Sequence, residues 1–197
     1  MFLLGNDYWE VKKTKEKGSG VFAKKEIAKG RIIGDYLGIV LRPQDAVVDE
    51  ENFYLMYYSD QAVVSPDLKR PGPHLLNHSC MPNCWIYVYR GHTLLFSLRK
   101  IEIGEEMTLS YLLSPKDETC SPCVHNCKCG SSLCIGTMHL PQEKYEMWQK
   151  FQDQESKKTK KARVVFGKNL PKLKVYPKII PNNPIYEAMC SFGRMPK

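Results

Sequence analysis

Asn77-His78-Ser79-Cys80-Met81-Pro82-Asn83-Cys84 gathers two amides, an imidazole, a hydroxyl and two thiols into eight residues. Taken alone, the string admits two chemistries: a nucleophilic cysteine, or a metal held by imidazole and thiolate. It follows a Pro and Gly stretch and precedes an aromatic run, which predicts an irregular loop. A second string, Gly104-Glu105-Glu106-Met107-Thr108-Leu109-Ser110-Tyr111, ends a strand on a phenolic hydroxyl. A third, Lys17-Gly18-Ser19-Gly20-Val21-Phe22, is a glycine turn opening into a strand. It lacks the third glycine and the following helix of a dinucleotide-binding turn, which disfavours a Rossmann site.

Cysteine usage adds a further candidate centre. Of eight cysteines, Cys120, Cys123, Cys127, Cys129 and Cys134 fall within 15 residues. The apolar start Met1-Phe2-Leu3-Leu4 is followed at once by Asn6, Asp7 and Glu10, so no secretory signal is expected. Without that signal a disulfide framework is disfavoured, and such thiol density points to zinc. One arrangement is a self-contained cluster of Cys120 and Cys123 with two of the later three, although C-x2-C so close to C-x-C is crowded. Cys84, Cys120 and Cys123 are otherwise read as buried thiols or ligands of a second metal. His125 reads as an exposed loop histidine in preference to a ligand, and Cys190 stands alone.

The elements that must position these residues are mostly strands. Val21-Phe22, Ile32-Ile33, Ile39-Val40-Leu41, Phe53-Tyr54-Leu55, Val63-Val64, Trp85 to Tyr89 and Leu94-Leu95-Phe96 are β-branched or aromatic runs. Gly18-Ser19-Gly20, Lys29-Gly30, Arg90-Gly91 and Ile103-Gly104 punctuate them as turns. A mainly β domain is therefore expected, with one short helical stretch near Pro43 to Glu51 before residue 140. Beyond the Cys-rich segment, Pro141 opens a predicted helix, because proline is tolerated at a first helical position. Tyr145, Trp148 and Phe151 recur on one face of it and are expected to pack on the β domain. Lys157-Lys158-Thr159-Lys160-Lys161 ends the helix, and Pro171, Pro177, Pro181 and Pro184 predict an extended, irregular tail.

Together and in this order, the strings resemble the SET-domain family of protein-lysine methyltransferases. Its first motif is matched by Gly18-Ser19-Gly20 with Phe22, and its Y-x-G by Tyr36-Leu37-Gly38. N-H-S-C-x-P-N is matched without a gap by Asn77 to Asn83, and G-E-E-L-T-F-D-Y by Gly104 to Tyr111 with Met107, Leu109 and Ser110 substituted. The post-SET pattern C-x-C-x4-C is matched by Cys127, Cys129 and Cys134. The implied architecture is several small β-sheets forming a SET domain over 8–113, a post-SET zinc segment over 114–138, and a basic helix and Pro-rich tail over 139–197. No pre-SET segment is expected.

The resemblance implies that S-adenosylmethionine binds among Lys17, Gly18, Ser19, Gly20, Phe22, Asn77, His78 and Tyr111. It implies Tyr111 as the catalytic hydroxyl, with Tyr36 beside it, and Tyr36 and Leu109 as walls of a substrate-lysine channel; a core role for Tyr36 stays open. Leu109 in place of an aromatic residue suggests room for two or three methyl groups. His74 replaces an arginine three residues before Asn77, which suggests a lost ion pair. The zinc ligands implied are Cys80, Cys127, Cys129 and Cys134, which removes Cys80 as a nucleophile.

Charge bears on partners. Residues 1–140 hold 16 Lys and Arg against 16 Asp and Glu, whereas 141–197 hold 13 against 5, so the whole excess of +8 lies in the C-terminal part. That suits an acidic surface such as nucleosomal DNA, or simply a solvated basic face. The expected substrate is a protein, with a histone tail leading and a non-histone protein open; the expected location is nuclear or chromatin-bound in a eukaryote or its host, cytoplasmic otherwise, and the expected state a monomer. A catalytically inactive SET-like binding module and a zinc-containing nucleic-acid binder are the competing readings. The latter lacks a recognition helix, and its basic surplus lies outside the zinc segment.

Overall fold

Period-two packing along Ser19–Ala23 sends Val21 and Ala23 into the interior, the pattern of a strand with one buried face. The computed structural model describes residues 1–46, 54–59, 61–118, 120–158 and 164–180. Among them run ten short strands: β1 (Trp9–Lys13), β2 (Ser19–Ala23), β3 (Ile32–Asp35), β4 (Gly38–Leu41), β5 (Met56–Ser59), β6 (Ala62–Pro66), β7 (Asn77–His78), β8 (Cys84–Tyr89), β9 (His92–Ser97) and β10 (Glu106–Leu109). A single α-helix, α1 (Gln142–Lys158), follows. The strands form three small sheets, in the orders β1-β2-β10-β7, β3-β9-β8 and β4-β6-β5. Their inner faces share a core in which Val21, Ile33, Leu94, Leu95, Phe96 and Met107 are at most 1% exposed. Each such side chain contributes about 1.5–3 kcal/mol through removal from water. On α1, Trp148 is buried edge-on against Trp85 at 6.0 Å, and Tyr145 packs partly buried beside it. The side chain of Phe151 lies outside the described residues.

Three expectations change. Asn77-His78 is not loop but strand β7, because it pairs in parallel with β10 (Thr108 with Asn77, Leu109 with His78). The strand expected at Phe53 begins instead at Met56, since Tyr54 lies in a turn; Phe53 is outside the described residues. Of the helix expected near Pro43 to Glu51, Pro43–Asp45 forms a 3-10 turn and 47–51 lie outside the described residues. The tail over 164–180 forms no strand or helix, as its prolines predict, yet it is tied to the sheets. Leu170 N–H donates to Gly38 C=O at 2.9 Å, Ile180 N–H to Gly30 C=O at 3.0 Å, and Ile32 N–H to Lys178 C=O at 3.0 Å. Isolated antiparallel bridges join Ile39 to Asn169 and Arg31 to Ile179, so the tail lies along the free edge of β4 and against the start of β3, whose remaining edge pairs with Met1 to Leu4. Pro171 and Pro177 fall between the donating residues, so their missing N–H groups cost the pairing nothing. Tyr176 anchors the strap: its hydroxyl donates at 2.8 Å to the buried Asp35 carboxylate, whose same oxygen lies 2.7 Å from His92 Nδ1.

Candidate active site and metal centre

A cleft of about 760 Å³ opens between the β2-β10-β7 sheet, the chain after Tyr111 and the start of α1. Its walls include Lys17, Ser19, Tyr36, Tyr54, Asn77, His78, Ile86, Leu109 and Tyr111. That volume suits a nucleoside-sized ligand together with one side chain. Tyr111 stands where β10 has just ended. Its backbone N–H donates to His78 Nδ1 at 3.2 Å, and its hydroxyl donates to Leu76 C=O at 3.3 Å. Although 40% of the residue is exposed, the hydroxyl is packed among protein atoms, and burial pushes its pKa up to about 12. Tyr111 is therefore a neutral phenol that donates. The next residue, Leu112, adopts φ +55°, a left-handed conformation unfavourable for leucine, which swings the chain away immediately after the hydroxyl is placed.

Tyr36 is 6% exposed and its hydroxyl donates to the Tyr54 carbonyl. Burial drives its ionisation far above the ordinary tyrosine range. Leu109 is buried on the same wall. Asn77 donates through Nδ2 to Ser19 C=O at 3.1 Å and to Glu106 Oε1 at 2.8 Å, while Lys17 Nζ meets Glu106 Oε2 at 2.5 Å. Gly20 lies beneath this network: a Cβ there would sit 2.6 Å from Glu106 Oε1 and 2.9 Å from Asn77 Nδ2. Gly18 holds φ +73°, open to glycine at no steric cost. Gly18, Gly20 and Phe22 do not line the cleft themselves, and the Phe22 ring lies under the Lys12 ammonium at 5.5 Å. Glu106, which organises Lys17 and Asn77, had no role assigned from sequence.

The rest of the loop is structural. Asn83 is 2% exposed and donates to Glu105 Oε1 and Glu106 C=O, both at 2.8 Å, while accepting from Thr108 N–H at 2.8 Å. It clamps the loop to β10. Cys84 is fully buried, and desolvation pushes its thiol far up, so it is a core thiol. Among the described residues His74 makes no ion pair; it is buried, edge-on to Tyr54 at 5.4 Å.

Cys80, Cys127, Cys129 and Cys134 have sulfurs all within 4.8 Å of one another. Cys80 lies 3.6 Å from Cys127 and 3.9 Å from Cys134, close to the edge of about 3.8 Å that four Zn–S bonds of 2.3 Å generate. The four thiols fit a zinc ion, and they join the loop of β7 to the segment after Tyr111. His78 links this centre to the cleft. Burial, then the Lys17 charge, draws its pKa down to about 4, so the ring is neutral. With Nδ1 accepting from Tyr111, Nε2 carries the proton and faces Cys80 Sγ at 3.7 Å. Cys120 and Cys123 do not join these thiols, so the self-contained cluster is not formed; they stand apart with His125 and His139. His125 is accordingly not a loop histidine without function-bearing neighbours, and His139 drew no notice in the sequence.

Residues 18–112 match the SET domain. Histone-lysine N-methyltransferase trithorax of Drosophila virilis is 30% identical over 139 residues, covering 65% of this chain and 4% of that protein. Histone-lysine N-methyltransferase, H3 lysine-36 specific, of Homo sapiens is 27% identical over 143 residues, covering 64% of this chain and 5% of that protein. The chain thus spans 4 to 5% of the length of these relatives. Among solved structures, that of KRYPTONITE in complex with mCHG DNA and SAH matches with a TM-score of 0.52 at 24% identity, over 66% of this chain and 29% of that one; the likeness is one of fold. Among the described residues no helix is long and apolar enough to cross a membrane.

Proposed function

We propose, from the premise that residues 18–112 of this chain belong to the SET-domain family, that it is a protein-lysine N-methyltransferase acting on a histone tail. The observation that carries this reading is the Tyr111 hydroxyl, held neutral inside a cleft whose other walls are Leu109, Tyr36, Asn77 and His78. S-adenosylmethionine, bound here, supplies a methyl group on a sulfonium. Asn77 and the Ser19 backbone form the polar end suited to its amino-acid portion, and the missing Cβ at Gly20 lets β2 approach closely enough for Asn77 to bond Ser19 and Glu106.

The substrate lysine must react as a free amine, although its ordinary pKa is about 10.4. Walls made by Tyr36, Leu109 and Ile86 exclude water and disfavour the ammonium form, and the released proton leaves to solvent. Tyr111 then orients the amine through its hydroxyl, an alignment effect that needs no ionised base. His78 fixes the tyrosine backbone from one side while Leu112 turns the chain from the other. The four thiols of Cys80, Cys127, Cys129 and Cys134 would hold zinc, which would tie the segment after Tyr111 to the chain just past β7. The relatives named as histone-lysine methyltransferases and the basic excess of residues 141–197 support a chromatin substrate and a nuclear location.

The test is transfer of labelled methyl groups to histones, nucleosomes and whole-cell extract. Tyr111→Phe is expected to lower kcat by about 100-fold or more while S-adenosylmethionine affinity stays within about threefold, because the lost group acts on alignment. Failure of the wild-type chain to bind S-adenosylmethionine in calorimetry would leave a zinc-containing binding module in place of the enzyme.

A further inference from the structure

We propose that Cys120, Cys123, His125 and His139 hold a second zinc ion, in a Cys2His2 site separate from the four-thiol centre and independent of whether the cleft is an enzyme. The four ligand atoms all lie within 4.8 Å of one another. Cys120 Sγ is 3.5 Å from His125 Nδ1 and 3.4 Å from His139 Nε2; Cys123 Sγ is 3.9 and 3.5 Å from the same two atoms. A tetrahedral zinc with Zn–S of 2.3 Å and Zn–N of 2.0–2.1 Å sets sulfur–nitrogen edges of about 3.6 Å, the mean spacing seen here. A thiol-imidazole hydrogen bond would use one sulfur and one ring. Here each sulfur faces both rings, which stand perpendicular with centroids 4.9 Å apart.

The outer contacts support the same reading. His139 Nδ1 lies 2.6 Å from Ser114 C=O, so Nδ1 carries the proton and Nε2 presents its lone pair toward the sulfurs. That arrangement, with His139 7% exposed, fixes the ring before any ion arrives. Both cysteines are free thiols, so no disulfide competes for them. A mixed sulfur and imidazole tetrahedron selects zinc over calcium or magnesium, which demand oxygen.

The placement says what the ion would do. Leu113 bridges His139 in parallel, Leu140 N–H donates to Leu113 C=O at 3.0 Å, and Met138 N–H donates to His125 C=O at 2.8 Å. The site therefore clasps the chain leaving Tyr111 to the chain entering α1. Ser114, Asn126 and Met138, which line the cleft, lie beside its ligands. One zinc ties this segment back to β7, and the second closes the segment on itself.

Native mass spectrometry of the full chain, purified with zinc present, tests the proposal. Two zinc ions per chain are expected. Cys123→Ser and His139→Gln should each leave one, Cys134→Ser should remove the other, and Cys123→Ser combined with Cys134→Ser should leave none. Retention of two ions by both Cys123→Ser and His139→Gln would overturn the site. Cobalt(II) titration of the unaltered chain decides the matter even if every variant fails to fold. Saturation at two equivalents, with one component of mixed sulfur and nitrogen character, supports the proposal; an end point at one equivalent of four-thiolate character overturns it.

Discussion

Leu109 is 5% exposed and lies two residues before Tyr111 on the wall of the proposed lysine channel. An aliphatic side chain there offers no hydrogen bond that would hold a water against a partly methylated amine, so successive methyl groups meet no polar obstacle. Leu109→Tyr is expected to shift the product from di- and trimethyl-lysine to monomethyl-lysine by about tenfold or more, the effect of a 1.4 kcal/mol difference between successive barriers. Mass spectrometry of a methylated peptide reads this directly, and an unchanged product ratio would remove Leu109 from product control. Tyr111 and Asn77 of this wall were legible in sequence because they stand in motifs whose types already limit their chemistry. Leu112 was not, since nothing about a leucine announces a positive φ that only the surrounding fold imposes. His139 was missed for a related reason: it is 14 positions from His125, and it reaches Cys120 through a fold of the segment that the Leu113–His139 and Asn126–Thr137 bridges hold.

Strands β2, β10 and β7 carry the site as a unit, and their spacing depends on Gly20. A Cβ at that position would meet Glu106 and Asn77 at under 3.0 Å and force the Lys17–Glu106–Asn77 network apart. Gly20→Ala is therefore expected to cost about 1–3 kcal/mol of stability in chemical denaturation. It should also weaken S-adenosylmethionine binding more than any comparable change at Gly18, where nothing lies within 4 Å of the added carbon but the backbone is strained. Equal losses at both positions would mean that the turn, not the network, is what matters. Most of the strands could be read from their β-branched and aromatic runs. Strand β7 could not, because two residues carry no periodicity and its partner lies about thirty positions away. The tail pairings were likewise invisible: Leu170 reaches Gly38 across more than 130 positions, and four prolines argued for irregularity.

The folded chain as a whole keeps His74 from taking up a proton. Burial, then the Met1 ammonium, draws its pKa from 6.5 down to about 4, whereas the unfolded chain keeps the ordinary value. As pH falls below about 6.5 the unfolded state binds the proton first, so the stability present above that pH declines until about pH 4. The size is on the order of 2–3 kcal/mol. Urea unfolding across this window should show wild type losing stability relative to His74→Gln as pH drops from about 6.5 to 4; a difference between the two that stays constant would mean another group sets the acid limb. Residues 164–180 bear on a different property. They occupy the outer edge of β4 and the start of β3, and their own Leu170 and Ile180 are buried. A chain ended after residue 158 would present the β4 edge bare, an open row of donors and acceptors that another copy can extend, whereas most of the β3 edge stays paired with Met1 to Leu4. Light scattering should then rise with time at concentrations where the full chain stays monodisperse, and a clear, stable solution of the shortened chain would refute this. What reads in sequence as a proline-broken trailer thus sets how crowded the protein can become before its copies begin to clump.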